Sequence, residues 1–211
     1  MTGPTPVVSL EKVSFSYPGA SEPVLDQLDF TLGPSDRIGL MAPNGSGKTT
    51  LLHTIMGLCR PESGVVRIFG KPMENEADFG PVRSQVGLLF QDSDDQLFSP
   101  TVLEDVAFGP LNLGQSRETA RQSALDTLDA LGIRELASCI THRLSGGQKR
   151  LVALAGVLAM APRALLLDEP TAGLDVRVQK KLVAILTTLD IPFLVISHEF
   201  DFISTVADKL Y

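Results

Sequence analysis

Eight consecutive residues, Ala42-Pro-Asn-Gly-Ser-Gly-Lys-Thr49, constrain this chain more than any others. They lie between a short, mostly apolar run at 37–41, which reads as a strand, and a stretch at 48–59, which reads as a helix. A strand that runs through a glycine-rich turn into a helix makes a phosphate cradle. Gly45 and Gly47 let the backbone bend so that successive N–H groups point at phosphate oxygens. The helix adds its positive N-terminal end. In such a cradle Lys48 neutralises the β- and γ-phosphates, and the Thr49 hydroxyl ligates Mg2+. Ala42 stands where the pattern usually has its first glycine. Taken alone, the loop says only that the ligand is a nucleotide.

The rest of the chain alternates strand and helix. Residues 7–17 alternate apolar and polar (Val8, Leu10, Val13, Phe15), and so do 28–32. Pro18-Gly19 and Gly33-Pro34 are turn signals after them. Further strands are expected at 64–69, 86–90, 164–167 and 193–196, with a helix at 176–189. Apolar strand, helix, apolar strand is a parallel-sheet pattern. The middle differs: 101–108 and 116–131 have helical spacing, with Ala120, Ala124, Leu125, Leu128 and Leu131 on one face. This reads as a helical lobe inserted between two strands of the main sheet.

Composition narrows the function. With 25 acidic against 18 basic residues, the 211-residue chain carries a net charge of −7. That argues against nucleic acid as the main partner, while leaving room for an anion in a local pocket. Cys59 and Cys139 are too few for a disulfide framework and read as ordinary reduced residues. The stretch 1–11 has no basic region followed by an apolar core, so no signal peptide is expected. The weakly polar run at 151–162 is too short to span a bilayer, so a membrane role must come through a partner.

Two further segments carry chemistry. Leu165-Leu-Leu-Asp168-Glu169 is an apolar strand ending in a carboxylate pair. Asp168 suits Mg2+, and Glu169 is placed to act as general base on an attacking water. Leu144-Ser145-Gly146-Gly147-Gln148 opens a helix. Ser145 with the Gly146 and Gly147 amides makes a second anion site, a role compatible with Ser145 simply capping the helix.

These motifs together resemble the ATP-binding cassette (ABC) ATPases. Residues 144–148 resemble that family's signature, Ala172-Gly-Leu-Asp175 its D-loop, Ser197-His198 its switch histidine, and Gln91 after a strand its lone glutamine. Tyr17 sits where the family stacks an aromatic ring on adenine, although it also reads as a strand end. The resemblance implies a P-loop α/β fold: a mixed central sheet flanked by helices, a small antiparallel β part and an inserted helical subdomain. It implies a single domain over 1–211, with 1–91 and 161–211 as core and 92–160 as helical subdomain. It assigns Asn44, Ser46, Thr50, Gln148 and Asp175 to nucleotide binding beside the residues already named. Gln91 joins Thr49 and Asp168 near the metal, and His198 contacts the γ-phosphate. It also implies a head-to-tail dimer, of two copies or with a paralogue, in which one signature closes over the ATP held by the other cradle. The family commonly has arginine where Leu151 stands, so no arginine role passes to it.

The segment 90–114 and Gly156-Val-Leu-Ala-Met160 are similar to ATPase subunits of energy-coupling factor transporters, especially cobalt/nickel importers. That group implies an integral membrane coupling protein, a substrate-binding membrane subunit and a place on the cytoplasmic face of the cell membrane. Asp92, Asp94 and Asp95 would meet basic groups of the membrane partner, with Leu97 and Phe98 as apolar anchors. The transported solute is then cobalt, nickel, a vitamin or another small molecule. A soluble ABC ATPase acting in assembly is the alternative. Relatives continue past the switch histidine with further strands, so the resemblance implies an unusually short or truncated chain.

Overall fold

The computed structural model describes residues 4–211; the first three residues of the stretch read as lacking a signal peptide lie outside the described residues. Two sheets organise the chain. The first is antiparallel and built from β1 (Val8–Phe15), β2 (Leu25–Leu32), β4 (Ser63–Ile68) and β5 (Lys71–Pro72), in the order β2-β1-β4-β5. The second is parallel, with β6 (Val86–Leu89), β7 (Ala164–Asp168), β8 (Phe193–Ile196), β3 (Arg37–Leu40) and β9 (Lys209–Leu210) in the order β6-β7-β8-β3-β9. The mixed strand directions expected from the sequence are thus divided between two sheets.

Seven α-helices are seen among the described residues: α1 (Lys48–Ile55), α2 (Glu76–Arg83), α3 (Val102–Asn112), α4 (Arg117–Ala130), α5 (Gly146–Leu158), α6 (Val176–Thr188) and α7 (Phe200–Val206). Apolar side chains alternate across the parallel strands, as a sheet buried on both faces requires. Leu166, Leu194 and Ile196 join α1 and the antiparallel sheet in one core. Leu165, Leu167, Phe193 and Val195 join α5, α6 and α7 in another. A third core, built on Val102, Val106, Ala120, Ala124 and Leu128, holds α3, α4 and one face of α5 together. The helical lobe therefore has its own core, inserted between the neighbouring strands β6 and β7.

Several bounds differ from the sequence reading for identifiable reasons. The first helix stops at Ile55 rather than Cys59, because Gly57 takes φ 70° and Leu58 N–H turns back to His53 O at 2.8 Å. β2 begins three residues early, at Leu25, across an irregular register with β1 at which Gln27 has φ 43°. α3 continues past Phe108 through Pro110 to Asn112. No helix among the described residues is long and apolar enough to cross a membrane.

Candidate functional site

β3 feeds the glycine-rich loop, and α1 leaves it at Lys48. Gly47 caps α1 with φ 86°, and no side chain takes the cap. A Cβ there would lie 2.8 Å from Val24 O, so the turn requires glycine. The first amides of α1 thus have no capping side chain competing for them. Lys48 Nζ donates to Ala42 O at 2.6 Å and Pro43 O at 2.8 Å, which folds the ammonium back over its own loop.

β7 supplies the carboxylates. Asp168 is 3% exposed, and its Oδ2 accepts from Thr49 Oγ1 at 2.7 Å. A hydroxyl beside a carboxylate is a hard oxygen donor set that fits Mg2+. Glu169 follows with φ 45°, a left-handed conformation that costs a non-glycine residue about 1–3 kcal/mol. Its N–H donates to Ile196 O at 2.9 Å, which fixes it to the end of β8. Its Oε2 accepts from His198 N–H at 3.4 Å. Its Oε1 is buried, lies 3.1 Å from His198 Nε2, and still makes no hydrogen bond. The short separation lacks hydrogen-bond geometry, so we regard Oε1 as a free acceptor. Burial pushes the Glu169 carboxyl above its ordinary pKa; His198 and Lys48 oppose the shift, and Asp168 adds to it.

One open cleft of about 560 Å3 gathers Tyr17, Asn44, Gly45, Gly47, Lys48, Thr49, Thr50, Gln91, Asp168, Glu169 and His198. Residues separated by most of the chain are brought together because β3, β7 and β8 are adjacent and end on the same edge. The Tyr17 ring is 45% exposed, stands edge-on to Phe15, and is anchored by a 3.1 Å hydrogen bond between its hydroxyl and Thr50 Oγ1.

The remaining expected residues do not line this cleft. Ser46 borders an apolar groove between β2 and the loop, with Leu28, Phe30 and Leu40. Ser145 caps α5: its Oγ accepts from Gln148 N–H at 3.3 Å, and Gln148 Oε1 accepts from Ser145 N–H at 2.9 Å. Asp175 caps α6 through Arg177 N–H at 2.9 Å and Val178 N–H at 3.0 Å. Gly147 packs on Val178, where a Cβ would come within 3.1 Å of a methyl carbon, so these two helix starts abut. Ser145, Gly146 and Asp175 are exposed.

Three residues near the site escaped the sequence reading. Gln96 pins Phe90: its Oε1 accepts from Phe90 N–H at 3.2 Å, and its Nε2 donates to Leu88 O at 3.0 Å. Asp105 is buried, and its Oδ2 accepts from Phe98 N–H at 3.0 Å and Ser99 N–H at 2.7 Å. Arg150 is buried at the start of α5; the pair Lys149-Arg150 precedes an apolar run, and nothing in the sequence distinguishes the buried cation from its neighbour. Leu151, where an arginine was missed, fills the lobe core. The expected anchor Leu97 is half-buried and packs against two cores, whereas Phe98 is 63% exposed and stands edge-on to Phe108 at 4.6 Å. The expected acidic patch is also partly neutralised, since Asp94 Oδ1 accepts from Lys149 Nζ at 2.5 Å.

Known proteins resemble this chain in sequence and fold. The family model for ABC transporters matches residues 25–172. A protein of Nitratidesulfovibrio vulgaris, named for ATP binding in an ABC transporter, is 52% identical over 199 residues, covering 94% of this chain and 73% of that protein. The cobalt import ATP-binding protein CbiO of Rhodobacter capsulatus is 42% identical over 210 residues, covering 98% of this chain and 75% of that protein. The solved structure of cbiO1 from Clostridium perfringens, part of the ABC transporter complex cbiONQ, matches with a TM-score of 0.85 at 32% identity, over 98% of this chain and 84% of that one. A dimeric ATP-binding cassette bound to ADP and Pi after hydrolysis matches at 0.86 with 27% identity, over 94% of this chain and 91% of that one. Identity and coverage of this extent show that the chain belongs to the ABC transporter family, as an ATP-hydrolysing protein of the transporter type.

Proposed function

We propose that the chain is the ATPase subunit of an energy-coupling importer and hydrolyses ATP between two facing copies or between itself and a paralogue. Residues 1–91 and 161–211 form the nucleotide-holding core of one domain, and 92–160 the subdomain that bears the signature. The observation that carries the hydrolytic reading is Glu169 Oε1, a buried carboxylate oxygen without a hydrogen-bond partner in a cleft beside a phosphate cradle. A buried acceptor left free is costly unless a ligand or water uses it.

The chain's own groups divide the work. The Gly45–Thr50 backbone and Lys48 hold the phosphates, with Asn44 and Ser46 shaping the loop and Tyr17 offering a face to adenine. Thr49, Asp168 and Gln91 hold Mg2+, which when bound neutralises charge on the phosphate oxygens. Glu169 Oε1 accepts a proton from the attacking water, while His198 N–H holds Oε2 and so fixes the carboxylate. His198, which lines the same cleft, would contact the γ-phosphate. The capped helix starts at Ser145–Gln148 and Asp175 do not line the cleft, which supports their acting on the nucleotide of a second subunit.

The importer reading takes its support from the CbiO and cbiONQ likenesses and from the aromatic pair Phe98–Phe108 exposed on the helical lobe. That pair is offered as the seat of an integral membrane coupling protein, itself joined to a substrate-binding membrane subunit. The ATPase would then lie peripherally on the cytoplasmic face of the cell membrane. Cobalt is the favoured solute, with nickel or a vitamin as the other options.

Glu169→Gln tests the hydrolytic reading. ATP binding should persist, phosphate release should fall by about 10²–10³-fold, and an ATP-dependent dimer should accumulate on gel filtration. Normal turnover removes Glu169 from its role. Purification of the tagged chain from native membranes tests the importer reading: recovery without a multi-span membrane protein would favour the soluble alternative.

A further inference from the structure

Arg150 is 4% exposed and stands two residues beyond the signature run. A guanidinium so placed requires partners. Its Nη1 donates to Phe90 O at 2.5 Å and its Nη2 to Gln91 O at 2.5 Å. Gripping two consecutive carbonyls uses the rigid donor fork that lysine lacks. Next to it, Lys149 Nζ donates to Asp94 Oδ1 at 2.5 Å. The first turn of α5 therefore holds the segment 90–94 at three points. Gln96 fixes the Phe90 peptide from its other side, through the N–H.

The two ends of this clamp have different neighbours. Gln91 borders the nucleotide cleft and also the groove between lobe and sheet. α5 begins at the exposed Ser145–Gly146 cap. One face of α5 packs in the lobe through Leu151, Val152 and Ala155; the other packs on the parallel sheet through Ala153, Leu154 and Val157. The charges around the guanidinium are Asp92, Asp168 and Glu169, which offset its burial.

We propose that Arg150 is a positioning residue for hydrolysis: its fork ties the Gln91 backbone to the signature helix, so that the Gln91 amide and the helix start at Ser145–Gly147 move as one piece. The inference rests on the role given to Gln91 above. It links the metal contact in one chain's own cleft to the cap that the same chain offers its partner, through a single side chain. A residue that merely filled space at this position would change stability and leave the rate alone.

The test is a double-mutant cycle. Arg150→Lys keeps the charge and the aliphatic stem but loses the fork. Arg150→Met keeps the bulk without the charge and serves if the lysine variant melts too low to assay. The expected result for either variant is a kcat about 10–100-fold lower, ATP binding within about twofold of the parent because the cradle is untouched, and a several-fold rise in the Mg2+ concentration for half-maximal rate. Gln91→Ala should slow turnover by itself, and adding Arg150→Lys to it should slow it no further. A multiplicative loss in the double variant overturns the proposal while leaving Gln91 in place. A lowered melting temperature with unchanged kcat in the Arg150 variants also overturns it. Unchanged kcat in Gln91→Ala overturns both the proposal and the reading beneath it.

Discussion

At the scale of single residues, Glu169 combines a strained backbone, a buried carboxyl and a free oxygen. Only the ionised form accepts a proton, and burial raises its pKa. The acid limb of kcat/KM, which reports the free protein, should therefore lie at higher pH than an ordinary glutamate would give, and an acid limb at the ordinary carboxylate range contradicts this. Stability moves the opposite way. A carboxyl whose folded pKa is raised contributes most below its unfolded pKa, and that contribution is lost as pH rises through the folded value. At neutral pH the ionised side chain thus weakens the fold. Glu169→Gln should therefore raise the melting temperature, read by scanning calorimetry without nucleotide; a lower melting temperature contradicts this. Most of the cleft was legible in the sequence because the cradle and the carboxylate pair lie in contiguous runs. Gln96, Asp105 and Arg150 were not, since each acts on backbone N–H or C=O groups, which leave no side-chain pattern in the sequence.

Among the elements, the strands and long helices followed hydrophobic period, and the exceptions have local causes. α2 contains Gly80 and Pro81, residues that disfavour a helix interior, yet its Asn75–Asp78 capping box and buried Phe79 and Val82 hold it. α7 and β9 span seven and two residues, too short for a period to emerge; β9 exists because β3 offers an unpaired edge. The turn after α1 shows how narrow the tolerance is. Gly57 has φ 70°, and a Cβ there would meet the Phe79 ring at 2.4 Å. Gly57→Ala should cost about 2–4 kcal/mol from combined backbone strain and overpacking, read as a lower urea midpoint with an unchanged slope. Adding Phe79→Ala should make the glycine substitution less costly; full additivity would show that the clash is not the cause.

For the whole molecule, the placement of the lobe matters most. α5 belongs to two cores at once, so the lobe is tied to the nucleotide-bearing sheet along the helix that starts with the signature. Asp105 holds the backbone from which Phe98 projects, next to Phe108. If a membrane partner seats on this pair, Phe98→Asp should remove most co-purified membrane protein while ATP binding stays within about twofold of the parent, since the cradle lies in another core. Equal recovery of the partner, judged by mass spectrometry of tagged material, would place its seat elsewhere on the surface.

Contiguous runs of sequence carry the proposed chemistry: a cradle set by glycines and Lys48, a carboxylate pair at a strand end, and a serine-led helix start. These are local because backbone conformation and capping act over a few residues. Which atoms remain free and which are bound was set by packing. Whether Glu169 Oε1 is unpartnered, whether Asp94 is neutralised and where Arg150 reaches depend on segments distant in the chain that packing alone brings into contact.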